Sequence, residues 1–306
     1  MEKIAFNMWL ETARPKTLPL ALASIVTGSA LAAFVGAFSW TISLLSILTA
    51  LLLQVVSNFA NDYGDHLKGS DTAERIGPLR GIQHGVITPR QLRNGLILAI
   101  AASLCSGLAL ILLATKSWQD LIAFAVLGLL AVIASVTYTV GRKPYGYIGL
   151  GDISVLIFFG WLGVGGTYYL QTHSIDFPVL LIATACGLLA TAVLNINNLR
   201  DIEQDRKAGK NTLAVRLGDK PAKLYHCLLI SSAVLLYLAF TLCYFLHWSG
   251  FLVVLAFPLL LKHAWTVLHA TEPQQLRPML AQMSMLALLV NLLFSVGLLL
   301  SGGFNW

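Results

Sequence analysis

The stretch that decides the fold runs from residue 41 to residue 65 and reads TISLLSILTALLLQVVSNFANDYGD. Its first part is apolar for roughly the 20 residues a helix needs to cross a bilayer. Its end is different: Asn58, Asn61, Asp62 and Asp65 gather there, and Asp71 follows. Carboxylates at the edge of a hydrocarbon layer are costly unless paired, hydrated or bound to a metal. At about 100° per residue, the two amides and two carboxylates of 58–65 share one helix face. They can aim at a common point.

The pattern recurs once. The apolar run Val179–Asn198 ends in Asn197, Asn198, Arg200, Asp201, Glu203, Asp205 and Arg206. Continued as a helix, Asn197, Asn198, Asp201 and Asp205 share a face, and Glu203 lies off it. Asn61-x3-Asp65 matches Asn197-x3-Asp201, and Arg80 and Arg216 follow their asparagines at the same distance. This is a weak sign of an internal repeat.

Working outward, nine apolar segments are long enough, or nearly so, to span a bilayer. They run Leu18–Val35, Thr41–Asn61, Leu96–Ala114, Leu121–Tyr138, Ile153–Leu170, Val179–Asn198, Tyr225–Leu246, Phe251–Val267 and Met283–Leu300. The 306 residues are 57% hydrophobic and 11% charged, and no polar stretch is long enough for a soluble domain. Backbone in hydrocarbon must bond internally, so the segments are helices. They lack the short alternating pattern of a barrel strand. The expected fold is an all-α polytopic membrane protein, a bundle of nine transmembrane helices forming a single domain over residues 1–306. Pro258 should kink the eighth helix. Met1–Pro19 is not a cleavable signal, because its apolar segment starts only after Arg14-Pro15-Lys16 and lacks a small-residue cleavage site. Cys105, Cys186, Cys227 and Cys243 lie in apolar runs without ligand spacing and read as packing thiols.

The net charge of +6 does not indicate a nucleic-acid partner, because the basic residues lie between spans. With the N-terminus in the cytoplasm, every Lys and Arg except Lys116 falls on the cytoplasmic side. That asymmetry places the C-terminus outside. It also puts both acidic clusters and the loops at about 62–95, 139–152 and 199–223 on the cytoplasmic face.

Both clusters end helices, where the helix dipole is negative and disfavours carboxylates by ~0.3–1 kcal/mol each unless a cation compensates. Oxygen donors from Asp and Asn suit Mg²⁺, which keeps waters and bridges to phosphate oxygens. Loop bases can hold the remaining phosphate charge. The pattern therefore points to a polyanion held through divalent cations at the mouth of a membrane cavity. A third segment on that face, Tyr138, Gly141, Arg142, Lys143 and Pro144 leading to Asp152, could line the same mouth. Arg14, Arg142 and Lys143 serve equally well as topology signals. His66 and His84 read as solvated loop histidines.

These residues resemble the motifs of the UbiA superfamily of intramembrane aromatic prenyltransferases, over essentially the whole chain. Asn61-Asp62-x2-Asp65 with Asp71 is similar to the first acidic motif, although Asp71 lies six residues past Asp65, where the family pattern has four. Asp201-x3-Asp205 is similar to the second, and Tyr138, Arg142 and Lys143 to a third. Gly149-Leu150-Gly151-Asp152 and the run from Asn197 through Lys210 to Gly218 resemble the branch that prenylates 1,4-dihydroxy-2-naphthoate in menaquinone synthesis.

The resemblance implies Mg²⁺ held by Asn61, Asp62, Asp65, Asp71, Asn197, Asp201 and Asp205, with the aspartates at 62, 65, 201 and 205 catalytic. It implies substrate contacts from Asn58, Tyr138, Arg142, Lys143, Asn198, Arg206 and Lys210. Arg14 or Lys143 is the candidate for the acid's carboxylate. The implied substrates are a polyprenyl diphosphate and 1,4-dihydroxy-2-naphthoate. The implied setting is the bacterial cytoplasmic membrane, with the active site facing the cytoplasm. A 4-hydroxybenzoate or homogentisate prenyltransferase is the alternative within the superfamily. An ion-coupled transporter is a remoter one, disfavoured because transporter sites usually lie near the midplane. The Asp-Gly-x2-Ala-Arg opening of a lipid phosphatidyltransferase is absent.

Overall fold

Hydrophobic segments this long leave the backbone no partner but itself, and in the computed structural model every secondary-structure element of the described residues, 2–69 and 81–302, is helical. Nine helical stretches among them are long and apolar enough to cross a membrane: α1 (Phe6–Phe34), α2 (Trp40–Leu67), α3 (Pro89–Ala114), α4 (Trp118–Thr137), α5 (Gly151–Thr172), α6 (Phe177–Arg200), α7 (Asp219–Phe245), α8 (Trp248–His269) and α9 (Pro273–Leu300). The chain is an integral membrane protein. Several helix starts are set by capping chemistry. Ser39 accepts from the Ile42 amide, Ser117 accepts from the Asp120 amide, and Thr88 and Gln91 cap each other at the head of α3.

Three elements differ from their sequence reading. The first span begins well before Leu18 and is broken at Arg14, whose φ is 53°. Pro15 follows, and the residue before a proline is pushed out of the right-handed helical region. At Pro258 the change is one of helix type: α8 starts as a tighter 3-10 helix over Trp248–Ala256 and becomes an α-helix at Phe257. The third correction concerns the second acidic cluster. α6 stops at Arg200, Asp201 adopts φ −103° and ψ 12°, and Asp205 lies on a separate short helix, Ile202–Lys207. Asn197 and Asp205 therefore do not share one continuous helix face.

Packing fixes where the clusters meet. Asn291 on α9 accepts from Thr27 (2.6 Å) and Tyr237 (2.8 Å), tying α9 to α1 and α7. α5 and α6 touch at Gly160 and Gly187, where a Cβ on Gly160 would lie 2.4 Å from the Ala183 carbonyl oxygen. Small residues allow such close approach between membrane helices. Gly64, between the two aspartates of α2, does the same against the turn after α4: an added Cβ would come within 2.8 Å of the Thr139 backbone. The acidic end of α2 is thus seated on the α4–α5 connection.

Candidate active site

The ends of α2 and α6 converge, and cations from distant parts of the chain meet their carboxylates. Arg14, at the break in α1, donates to Asn61 Oδ1 (2.7 Å) and to Asp62. Asp65 Oδ1 accepts from the Tyr147 hydroxyl at 2.9 Å and lies 2.9 Å from Lys210 Nζ. The same ammonium is 3.8 Å from Asp205 and 4.8 Å from the centre of the Tyr147 ring. Lys210 thereby spans both clusters. Asp201 is held by its neighbour Arg200, through Nε at 2.7 Å and Nη2 at 2.5 Å, and the same guanidinium donates to Asn197 (3.0 Å).

Backbone contacts hold the loops in register. The Lys210 amide donates to the Asp205 carbonyl (2.7 Å), and the Asn211 amide donates to the Tyr147 carbonyl (2.8 Å). Arg216 donates to the Ile148 carbonyl at 2.7 Å.

These groups wall a polar chamber of about 60 Å³, bordered by Arg14, Asn61, Asp65, Asn197, Asn198, Asp201, Asp205 and Lys210 among others. Burial pushes the Asp205 carboxyl up to about 7; Lys210 draws it down, while Asp201 and Asp65 push it further up. Tyr138 is raised above its ordinary range, first by burial and then by Asp152, so its hydroxyl stays protonated. The buried Thr139 hydroxyl borders the chamber without a partner among the described residues.

A second space adjoins the first. It measures about 560 Å³ and shares Arg14, Asn61, Tyr138 and Asn197 with the chamber. Beyond those four its walls are mostly apolar, running along α2 from Ser57 back to Ser46 and along α5 from Ser154 to Leu170. At 1.5 Å per residue that is on the order of 20 Å of depth. Lining residues of α4 from Phe124 to Ser135 spread over more than half of that helix's circumference. Leu127 and Leu129 are also exposed. The cavity therefore reaches round α4 to the side that faces lipid.

The space joins a carboxylate-lined head to a long apolar body. The sequence profile of the UbiA prenyltransferase family matches residues 21–303. The chain belongs to the UbiA prenyltransferase family. A relative from Haemophilus influenzae, 64% identical over 296 residues and covering 96% of each chain, is named 1,4-dihydroxy-2-naphthoate octaprenyltransferase. An Escherichia coli protein of the same name is 56% identical, covering 96% of this chain and 95% of its own. Among solved structures, a UbiA homolog from Archaeoglobus fulgidus bound to DMAPP and Mg²⁺ superposes with a TM-score of 0.63. It is 18% identical, covering 94% of this chain and 99% of that one. The UbiA fold extends over nearly the whole chain.

Within this UbiA chain the sequence-predicted residues divide. Asn61, Asp65, Asn197, Asn198, Asp201, Asp205, Lys210 and Tyr138 border the chamber, and Asp62 is tied to it through Arg14. Asn58 is buried one turn away and lines the larger cavity. Arg142 and Lys143 are exposed and line neither space, because the turn into Pro144 carries them outward. Arg206 is exposed too and pairs with Glu203 at 2.7 Å. Asp71 and Arg80 lie outside the described residues.

Among the described residues, no three His, Cys, Asp or Glu side chains form a metal cage by themselves. Asn and Asp oxygens facing a common chamber fit a cation that completes its shell with water and substrate oxygens. Tyr147 and Thr139 were missed by sequence reasoning, and no local pattern marks them. Arg14 carried a usable signal, a basic residue before proline at the start of a span.

Proposed function

We propose that this enzyme transfers a polyprenyl group from its diphosphate to 1,4-dihydroxy-2-naphthoate. Diphosphate and carbon dioxide leave, and the product is demethylmenaquinol/demethylmenaquinone for menaquinone synthesis. The observation that carries the reading is the joined space, a carboxylate-lined chamber opening through Arg14, Asn61, Tyr138 and Asn197 into an apolar cavity. The head suits a diphosphate and the body a prenyl tail. The names of the Haemophilus influenzae and Escherichia coli relatives support the naphthoate as acceptor and a long tail as donor.

Asn61, Asp62, Asp65, Asn197, Asp201 and Asp205, with Asp71 beside them in sequence, would hold Mg²⁺. Bound magnesium supplies positive charge to the diphosphate as its bond to the allylic carbon breaks. Lys210 exchanges its carboxylate partners for phosphate oxygens, and the Thr139 hydroxyl is placed to donate to them. Tyr138, protonated at the junction, offers a further donor. The apolar walls keep water from the allylic cation until the electron-rich ring attacks it, and loss of the ring carboxylate restores aromaticity. Arg14, at the junction, is the cation in position for that carboxylate; exposed Lys143 is not. The distribution of Lys and Arg supports a cytoplasmic N-terminus, and with it a chamber facing the cytoplasm of a bacterial inner membrane.

The test is turnover by purified, detergent-solubilised protein given a polyprenyl diphosphate and either 1,4-dihydroxy-2-naphthoate or 4-hydroxybenzoate, with and without Mg²⁺. Magnesium-dependent product from the naphthoate alone is the expected result. Product from the benzoate alone overturns the acceptor. No prenylated product from any aromatic acceptor overturns the reaction.

A further inference from the structure

A directed chain of hydrogen bonds ends on the wall of the large cavity. The Thr17 hydroxyl gives its one proton to the Arg14 carbonyl (2.9 Å). Its oxygen can then only accept, and it accepts from the Asn58 amide nitrogen (3.2 Å) and the Gln54 amide nitrogen (3.2 Å). Asn58 gives its other amide proton to the Ala13 carbonyl (2.8 Å), and its oxygen accepts from Gln54 (3.4 Å). Every donor in the network is used, and each amide is oriented by the next. Among the described residues, Gln54 Oε1 remains as an acceptor with no protein partner.

Gln54 lines the large cavity one helical turn from Asn58, on the face of α2 that carries Asn61, Asp62 and Asp65. The acceptor is thus fixed on the apolar side of the diphosphate chamber, where the donor's first carbons lie in the reading above. It is open to an O–H or N–H donor in the cavity. A prenyl tail has neither, and a diphosphate has only acceptors at neutral pH. The aromatic substrate has hydroxyls. The 1-hydroxyl of the naphthoate can satisfy itself on the neighbouring carboxylate; the 4-hydroxyl has no partner within the molecule.

Resting on the function proposed above, we propose that Gln54 accepts a hydrogen bond from the 4-hydroxyl of the dihydroxynaphthoate and so selects a para-dihydroxy ring. Thr17 and Asn58 are its positioning residues.

The test compares wild type with Gln54→Met, which keeps the side chain's length and removes the acceptor. The readouts are KM for 1,4-dihydroxy-2-naphthoate, KM for the prenyl diphosphate, and the inhibition constant of 1-hydroxy-2-naphthoate, which lacks the 4-hydroxyl. The variant should raise the first about tenfold and leave the other two within twofold. Thr17→Val, which leaves Gln54 in place but frees its amide to turn, should raise the same KM about threefold. An unchanged naphthoate KM in both variants overturns the assignment. So does an equal rise for naphthoate and inhibitor, which marks a packing role. A wild-type enzyme that does not use the naphthoate overturns the underlying reading, and this inference with it.

Discussion

The two acidic clusters solve the same electrostatic problem in opposite ways. The first lies on an unbroken helix, and its carboxylates are balanced from afar: Asp62 by Arg14, 48 residues away, and Asp65 by Tyr147, 82 residues away, and by Lys210. The second is broken at Asp201, and that carboxylate is balanced by the residue before it, the buried Arg200. The first cluster therefore exists as a unit only when the whole bundle has assembled. Half of the second is wired locally. Lys210 joins them, so the charge balance of one depends on the other.

Four experiments probe that contrast. The largest effect should come from Asp65→Asn and Asp201→Asn. Each removes a carboxylate from the chamber and should lower kcat by about 10²–10³, as loss of a preorganised electrostatic group does, with weaker dependence on magnesium. Near wild-type turnover in either purified variant would break the metal-clamp assignment for both clusters.

Stability should separate the clusters more sharply than activity. Asp201→Asn strands Arg200, whose side chain is only 6% exposed, and should cost about 3 kcal/mol. Asp62→Asn leaves Arg14 both Asn61 and solvent, its side chain being 28% exposed, and should cost about 1 kcal/mol. Melting in detergent measures both, and equal losses would erase the distinction between local and distant wiring.

Lys210→Ala should raise KM for the prenyl diphosphate about tenfold, with kcat less affected. The smallest effect belongs to Arg206→Ala. That side chain is 53% exposed and paired with Glu203, so turnover and affinity should change less than twofold. A large loss would place Arg206 back among the substrate contacts.

Much of the architecture is legible in the sequence because hydrophobicity and helical period are local properties. The nine spans, the two acidic helix ends and their convergence follow from runs of some twenty residues. Other features depend on partners that no window contains. The break at Asp201 is of another kind: its partner Arg200 and the nearby Asn197 are neighbours in the chain, yet no proline or glycine marks a stop there. Arg142 and Lys143 stand beside Tyr138 in the chain, yet the turn that brings Gly146 back to the Tyr138 carbonyl (3.1 Å) leaves them outside. Tyr147 reaches Asp65 by folding alone.

The large cavity reaches round α4 to the lipid side, and this changes what concentration means for such an enzyme. A tail that enters there is drawn from a two-dimensional solution, never from water. The rate then follows the mole fraction of prenyl diphosphate among the surrounding lipids. Adding inert lipid at constant substrate should slow turnover as surely as withdrawing substrate, while the aromatic acid continues to obey its bulk concentration.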